Sequence, residues 1–486
     1  VISGSSNIWN GTSWSSGTAP VAGTEKIIFN GNYSSTGDIS GCLLQVNSGN
    51  VVINADNTVT VANQVRINPA ATFTLEDTAS LLQTAGTTNT NIGIIRSKRR
   101  TQPVKRLDFT YWSSPVAGQT LYNLSPATMA DKYYSWNPVS QAWVTHMNGN
   151  TTMTDAKGYI VRAPQSFSTT SAVQYEAIFQ GVPNNGDITI PVYGNTSTLP
   201  ADYKWNLIGN PYPSAVDLDE FLSYANNVAA LDGTIYLWTH NSAPSNAVPG
   251  DQTYNYTSND YATYNLSGGV ATSPATPDPL NPEISDNFNG ATPTKYLASG
   301  QAFFVRGLGN LPARFTNDMR IQDENNRFYR NMNPVKRNAA SSGIEKNRFW
   351  LNLRNNQGAF NQTLVGYIEG ATNGLDRGFD GSLFGGNHVT IYSINDSQKL
   401  AIQGRALPFD NSDVVNLGIK TTIAGAFTIS LDMLDGLFVN QDIYLKDNLQ
   451  NAIHNLKSGP VSFTTGIGSF ETRFQIVYRN EALGIP

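Results

Sequence analysis

The sequence predicts a mainly β protein with a short N-terminal β-solenoid, an aromatic-rich irregular β region and a C-terminal antiparallel β-sandwich. Three observations lead to this prediction: charged residues make up only 14% of the 486 residues, 42 residues are glycine, and apolar residues recur in short alternating stretches. Gly and Asn tolerate positive φ angles, and Ser and Thr bond nearby backbone groups, so this composition is typical of short strands joined by tight turns. The length suggests about three domains.

The first predicted domain spans residues 1–95 and is a ladder of short apolar stretches. The stretches at residues 26–29, 51–53 and 72–75 are examples, and Asn, Gly, Asp or Pro separates one stretch from the next. Each stretch alternates between inward and outward side chains, and the spacing is too short for intervening helices. The rungs of a solenoid would bury these inward faces against one another, so we favour a β-solenoid over a small β-sandwich.

The second predicted domain spans residues 96–340 and is rich in aromatic residues and turns. It opens with a basic stretch at residues 96–106, which we interpret as a solvated strand and turn at a domain junction, with an anion-binding site as the alternative. Further along, Pro211 and Pro213 predict a rigid turn after a strand that ends at Ile208. A short helix is predicted to follow over residues 216–224.

The third predicted domain spans residues 341–486 and follows a polar linker. Alternating apolar stretches return at Arg348 and continue to Tyr478. About nine such strands at this spacing indicate an antiparallel β-sandwich.

Charge, cysteine content and hydropathy exclude several classes of function. The chain has 31 Lys and Arg residues against 36 Asp and Glu residues, so no basic field is available to hold a nucleic acid. The sequence has no apolar run of 18 residues, and no transmembrane segment is expected. Its single cysteine, Cys42, forms no intrachain disulfide or CxxC site, and we interpret it as a buried strand residue.

The sequence carries no motif for catalysis, and we predict neither catalytic residues nor an organic cofactor. The four histidines are far apart, and the GxSxG, P-loop, Rossmann and HExxH patterns are missing. Asp217 and Asp219 are better explained as helix-start residues than as an acid/base pair. Calcium is possible in Asp-rich turns at residues 251–260, 278–286 and 376–381, although plain solvated turns are the simpler interpretation.

Exposed aromatic residues are the more informative feature. The side chains that could stack on the apolar faces of sugar rings and form a carbohydrate-binding site are Trp112, Trp136, Trp143 and Tyr256. The alternative is that these side chains belong to the core of the β domains.

Several runs resemble a known group of proteins. WNLIGNPYPSAVD at residues 205–217, YWSSPV at 111–116 and GQAFFV at 300–305 resemble large surface proteins of Bacteroidota, in which this region precedes a type IX secretion sorting domain. The run RFQIVYRN at residues 473–480 resembles the last strand before that domain. The resemblance covers most of the chain, and its motifs carry no catalytic residue.

The resemblance implies a non-enzymatic, exported cell-surface protein, the C-terminal stalk part of an adhesin or gliding-associated protein. Its partners would be the type IX translocon during export and, at the surface, a polysaccharide. The alternative is a carbohydrate-binding or accessory region of a secreted polysaccharide-degrading enzyme. The resemblance also implies that a sorting domain follows Pro486.

A modification site is also implied. Asp77-Thr78-Ala79 fits the pattern at which exported proteins of this bacterial group are O-glycosylated on Thr, here Thr78. The predicted position is a turn after a solenoid strand, where a bulky sugar would lie in water. An unmodified turn threonine is the alternative.

Overall fold

The computed structural model describes residues 4–195, 204–239, 260–272, 292–322, 324–325, 343–356, 358–385 and 388–480. It confirms a mainly β protein with a solenoid-like N-terminal arrangement and several sheets. The strands of the N-terminal segment are β1 (Ser6–Trp9), β2 (Lys26–Asn30), β3 (Tyr33–Ser34), β4 (Ile39–Gly41), β5 (Leu43–Ser48), β6 (Asn50–Ile53), β7 (Thr58–Val61), β8 (Val65–Ile67), β9 (Thr72–Leu75), β10 (Ser80–Gln83) and β11 (Ile95–Arg100).

In its described residues, the middle segment contains short strands and three short α-helices. These elements are β12 (Phe109–Trp112), β13 (Val116–Ala117), α1 (Leu121–Leu124), β14 (Tyr133–Asn137), β15 (Ala142–Thr145), β16 (Tyr159–Arg162), β17 (Glu176–Pro183), β18 (Ile188–Val192), β19 (Lys204–Gly209), β20 (Ala215–Asp217), α2 (Leu218–Ser223), α3 (Ala225–Ala230), β21 (Leu231–Trp238), β22 (Tyr261–Asn265), β23 (Gly268–Val270), β24 (Tyr296–Leu297), β25 (Ala302–Gly307), β26 (Leu311–Phe315) and β27 (Arg320–Ile321).

The C-terminal segment contains longer strands. They are β28 (Lys346–Arg354), β29 (Phe360–Ile368), β30 (Gly381–Ser382), β31 (Val389–Asn395), β32 (Gln398–Arg405), β33 (Val414–Thr421), β34 (Gly425–Leu434), β35 (Tyr444–Asp447), β36 (Ala452–Asn455), β37 (Val461–Thr465) and β38 (Gly468–Val477). Single 3₁₀ turns lie at Met147–Gly149, Asn317–Met319 and Gly436–Val439.

The chain divides into two compact units. The first contains residues 1–231 and 295–331, and the second contains residues 232–294 and 332–486. The segment predicted as a middle domain, residues 96–340, therefore contributes to both units.

Parallel pairing of short strands gives the first unit its solenoid. The strands stack in three ladders, β1-β2-β5-β8, β4-β7-β10 and β3-β6-β9-β11. Val51 lies beside Phe73 and Val59 lies beside Leu81, each partner one rung further along the chain. All four side chains are fully buried, because every second residue of a strand points into the stack. The arrangement confirms the predicted solenoid.

The turns between rungs are tight, and one glycine shows why the sequence needs so many. Gly49 has a φ of 87°, and a Cβ at this position would lie 2.4 Å from the backbone carbon of Gly31 in the neighbouring rung. Only glycine combines a positive φ with such a close approach. Asparagine side chains join the same turns, since Asn32 Oδ1 accepts a hydrogen bond from the backbone N–H of Asn50 at 2.9 Å.

Antiparallel strands continue the first unit from the end of the solenoid. Strand β17 pairs with β11, the last rung, and β12-β16-β14-β15 form a separate antiparallel sheet. One hydrophobic cluster includes Phe73 of the solenoid together with Trp112, Tyr133 and Phe179 of the later strands. The solenoid and the irregular β region of this unit therefore share a core. The helix predicted over residues 216–224 is shorter in the structure: α2 begins after Asp217 and ends at Ser223, while Val216 and Asp217 belong to β20.

The largest sheet among the described residues of the second unit has eleven strands. Ten strands follow the order β36-β35-β38-β33-β31-β32-β29-β28-β34-β37, and β30 pairs with β32. Every pair is antiparallel except β29 with β32. One core cluster takes residues from strands along the whole order, for example Leu445, Phe474, Ile391 and Phe463. The antiparallel β-sandwich predicted for this region stays a prediction.

Two expectations about single features can be compared with the described residues. Cys42 is a free, buried cysteine, as predicted, but it lies in the bend between β4 and β5 rather than on a strand. No helix in the described part of the chain has the length and apolar character that crossing a membrane would require.

Candidate functional site

The run WNLIGNPYPSAVD at residues 205–217, the longest motif of the family resemblance, contains a buried turn of the first unit. The Asn210 side-chain amide donates hydrogen bonds to the carbonyls of Ser214, at 2.9 Å, and Leu297, at 3.1 Å, while its Oδ1 accepts from the Tyr212 backbone N–H at 2.9 Å. The Tyr212 hydroxyl donates to the Gly186 carbonyl at 2.6 Å. The side chains of the motif therefore hold together three segments that are distant in sequence.

Arg320 completes this turn from another part of the chain. Its Nε donates to Ser214 Oγ at 3.0 Å, and its Nη2 donates to the Leu81 carbonyl of the solenoid at 2.6 Å. Its Nη1 donates to Asn185 Oδ1 at 3.1 Å, and the guanidinium lies 4.6 Å from the centre of the Tyr212 ring. Burial lowers the pKa of Arg320 to about 10, so the side chain stays charged at neutral pH. The sequence did not single out this residue.

The predicted sugar-stacking residues lie in different surroundings. The exposed position predicted for Trp112 is wrong. Its side chain is only 2% exposed, because its ring packs edge-on against Phe179 in the core. A ring enclosed on both faces cannot stack on a sugar. Tyr256 lies outside the described residues.

Trp136 and Trp143 come together on the β14–β15 hairpin. They are a directly opposed cross-strand pair, their rings meet edge to face at 5.0 Å, and both are half-buried. The rings of Phe304 and Trp205 extend the cluster. The centre of the Phe304 ring lies 5.5 Å from that of Trp136 and 6.0 Å from that of Trp205. The Trp136 indole N–H donates to the Trp205 carbonyl at 2.9 Å, which fixes the orientation of the Trp136 ring.

A cavity of about 420 Å³ lies beside Trp136 within the first unit. Strands β14, β15, β18 and β19 and the loop before β16 form its walls. The lining residues are Ser135, Trp136, Asn137, Pro138, Val139, Val144, His146, Thr154, Lys157, Ile190, Pro191, Tyr193, Asn206, Leu207 and Ile208. The volume falls in the range of roughly 300–1,000 Å³ that is typical of small-molecule sites.

The charged group of this cavity is the Lys157 ammonium. The lining includes no carboxylate, and in the described part of the chain Lys157 forms no ion pair. Its Nζ lies 5.6 Å from the centre of the Tyr159 ring, and burial lowers its pKa. The sequence analysis did not single out Lys157, which lies two residues before strand β16. The local signal that could have indicated it is a single cation in a region rich in aromatic residues.

His146 is the second titratable group of the cavity. Its Nε2 is hydrogen-bonded to Ser135 Oγ at 2.8 Å and its Nδ1 to Thr151 Oγ1 at 2.9 Å. Burial, followed by the nearby charge of Lys157, lowers the pKa of His146. The imidazole is therefore neutral at neutral pH and serves as a fixed hydrogen-bonding group.

The lowered pKa of His146 predicts a pH dependence of stability. Between the ordinary His pKa of about 6.5 and the lower folded value, the unfolded chain binds a proton that the folded chain resists. The free energy of unfolding of the first unit should therefore fall as the pH drops below about 6.5. Urea unfolding of the wild type and the His146→Gln variant between pH 5 and 8 measures this component. An equal pH slope in both proteins would contradict it.

The other predicted sites have structural explanations. In the basic stretch, three of the six cations lie beside carboxylates: Lys98 binds Glu76 at 3.0 Å, Arg100 binds Glu176 at 3.0 Å, and Arg99 is buried beside Asp77. These contacts do not favour the anion-binding alternative.

Of the three Asp-rich turns considered for calcium, the one at residues 376–381 is fully described. In the turn at residues 376–381, the Asp380 carboxylate accepts hydrogen bonds from the backbone N–H groups of Asp376, at 2.7 Å, and Gly404, at 3.0 Å. Both oxygens are thus engaged by the protein. Among the described residues, no three His, Cys, Asp or Glu side chains converge on a metal position. The turn at residues 278–286 lies outside the described residues, as does the turn at 251–260 except for Asp260.

Thr78 occupies the predicted turn between β9 and β10. It has a φ of 71° and is half-buried, and its Oγ1 accepts a hydrogen bond from the Asp56 backbone N–H at 2.9 Å. The hydroxyl proton is not used in this bond. The position is therefore a surface turn with a hydroxyl held in place.

The chain was compared with protein families, curated proteins and solved structures. A family model described as a domain of unknown function, DUF8693, matches residues 2–478. The chain belongs to the DUF8693 family. The match spans both units, so the solenoid, the buried turn and the cavity all lie within the DUF8693 region. No curated protein and no solved structure matches the chain.

Proposed function

We propose that this DUF8693 chain is a non-enzymatic, exported cell-surface protein, the C-terminal stalk part of an adhesin, and a substrate of type IX secretion. The observation that supports this proposal is that the motif at residues 205–217 forms hydrogen bonds inside the protein. Three of its polar side chains are buried and form hydrogen bonds within the first unit: Asn210, Tyr212 and Ser214. Side chains engaged in this way stabilise a module rather than react with a substrate.

The fold suits a mechanical role. In the solenoid each rung bonds to the next through a continuous backbone ladder and buries its apolar residues against it. The second unit has its own core and its own long sheet. Such modules hold loops or attached segments at a distance from the cell.

Localisation in the native host tests the proposal. Antibody labelling and protease treatment of intact cells should find the chain at the cell surface. In a strain with a disrupted type IX translocon, the chain should be retained in the periplasm. A cytoplasmic location, or unchanged surface display without the translocon, would overturn the corresponding part of the proposal.

Carbohydrate binding is the second candidate function, either for the adhesin itself or for an accessory region of a secreted polysaccharide-degrading enzyme. The half-buried pair Trp136 and Trp143 beside a cavity favours it, because aromatic rings stack on the apolar faces of sugars.

O-glycosylation of Thr78 is a further part of the export proposal. Intact-mass analysis of the protein purified from its host should show a glycan that the Thr78→Ala variant lacks. Thr72→Ala, at an exposed threonine of β9 that does not follow an aspartate, should keep the glycan. Identical masses for the native protein and the unmodified sequence would end this proposal.

A further inference from the structure

We infer that the cavity beside Trp136 binds a sugar residue that carries a carboxylate, a uronic acid of an acidic polysaccharide. The inference rests on the proposed carbohydrate-binding role at the cell surface and adds the chemical class of the ligand. Three features of the cavity support it: an uncompensated cation, a fixed aromatic wall and free polar groups.

The cation sets the charge of the ligand. Lys157 lines the cavity without an ion pair in the described part of the chain, and no lining residue is acidic. The nearest acidic neighbour in sequence, Asp155, accepts a hydrogen bond from the Asn184 amide at 3.1 Å, and burial raises the pKa of its carboxyl. His146 is held neutral by burial. A half-buried ammonium without a counter-ion attracts a ligand anion more strongly than an exposed one does.

The wall beside this cation sets the shape of the ligand. The Trp136 ring is held by its bond to the Trp205 carbonyl and by edge contact with Trp143. Val144 and Ile190 add apolar surface, and Val144 is 39% exposed. A pyranose ring offers an apolar C–H face that fits such a wall, whereas a small inorganic anion would leave it in contact with water.

The remaining polar groups fit sugar hydroxyls. Asn137 Oδ1 accepts from the backbone N–H of Val139 at 2.9 Å, and its Nδ2 has no partner among the described residues. Thr154 lines the cavity with an exposed side chain whose hydroxyl is likewise without a partner in the described part of the chain. A uronic acid residue would use these groups together with Lys157, because its ring carries free hydroxyls as well as the carboxylate.

Calorimetric titration with matched oligosaccharides tests the inference on the full chain. The probes are trigalacturonic acid, its methyl ester and sodium acetate. The methyl ester keeps the sugar shape and removes the charge, and acetate keeps the charge and removes the sugar. We expect the acid to bind at least tenfold more tightly than either control.

Variants locate the binding. Lys157→Gln should weaken binding of trigalacturonic acid at least tenfold, and Val144→Asp should do the same by placing a repelling carboxylate at an exposed lining position. The control is Lys204→Gln, which should bind like the wild type. Lys204 is a half-buried lysine of the wall strand β19, but it does not itself line the cavity. Circular dichroism and thermal unfolding serve to check that each variant is folded. If Lys157→Gln does not fold, Val144→Asp decides the question.

Several results would overturn the inference. They are no binding of trigalacturonic acid, equal binding of the acid and its ester, equal binding of acetate, or unchanged binding by the folded cavity variants. These results concern the purified protein alone. The localisation experiment would still decide separately whether the chain is exported to the surface.

Discussion

Replacing Asp447 by alanine should lower the free energy of unfolding of the second unit by about 3–5 kcal/mol. The Asp447 carboxylate on β35 binds the Arg473 guanidinium on β38, with Nη2 and Oδ2 2.9 Å apart and side-chain exposures of only 2% and 7%. Arg473 also lies 4.9 Å from the Phe463 ring centre and 4.8 Å from that of Phe474. Removing Asp447 therefore leaves a charged guanidinium buried among aromatic rings without its counter-ion.

An exposed ion pair on the same strand gives the matched control. Glu471 of β38 binds Lys399, and both side chains are more than 40% exposed. Glu471→Gln should cost less than about 1 kcal/mol, because water solvates the remaining lysine. Urea unfolding combined with hydrogen exchange of the β35 and β38 amides measures both variants within the full chain. Equal losses for the two would show that burial does not control the strength of the Asp447–Arg473 pair.

Replacing Arg320 by methionine should destabilise the first unit by about 3–5 kcal/mol. Methionine fills much of the same space but donates no hydrogen bond. The change would leave three buried acceptors without their donor: the Leu81 carbonyl, Asn185 Oδ1 and Ser214 Oγ. Hydrogen exchange in β10 should rise in particular, since Leu81 lies on that strand.

Arg66→Met is the control for this second variant. Arg66 lies on β8 of the same unit, but its side chain is exposed. Its replacement should change the free energy of unfolding by no more than about 0.5 kcal/mol. A small effect of Arg320→Met, comparable with that of Arg66→Met, would mean that the buried turn keeps its structure without the guanidinium.

The sequence by itself determined the features that depend on neighbouring residues. Alternation at residues 51–53 and 72–75 predicted strands β6 and β9, and the short spacing predicted their stacking in a solenoid. The prolines after Ile208 predicted the turn, and Asp217 predicted the start of α2, where its Oδ1 caps the Asp219 N–H at 2.9 Å. These predictions succeeded because strand alternation, turn formation and helix capping act over a few residues.

Tertiary structure alone decided which groups meet over long distances. The hydrogen bond from Arg320 to Leu81 joins residues 239 positions apart, and nothing in the local pattern around either residue indicates the other. The same holds for the cavity, where Trp136 was singled out by its residue type, whereas Lys157 comes from the loop before β16 and Asn206 from strand β19. Trp112 shows the converse, since its residue type suggested exposure and the core enclosed it. Burial and pairing depend on how sheets close around a side chain, and that information is spread over the whole chain rather than over the spacing of nearby residues.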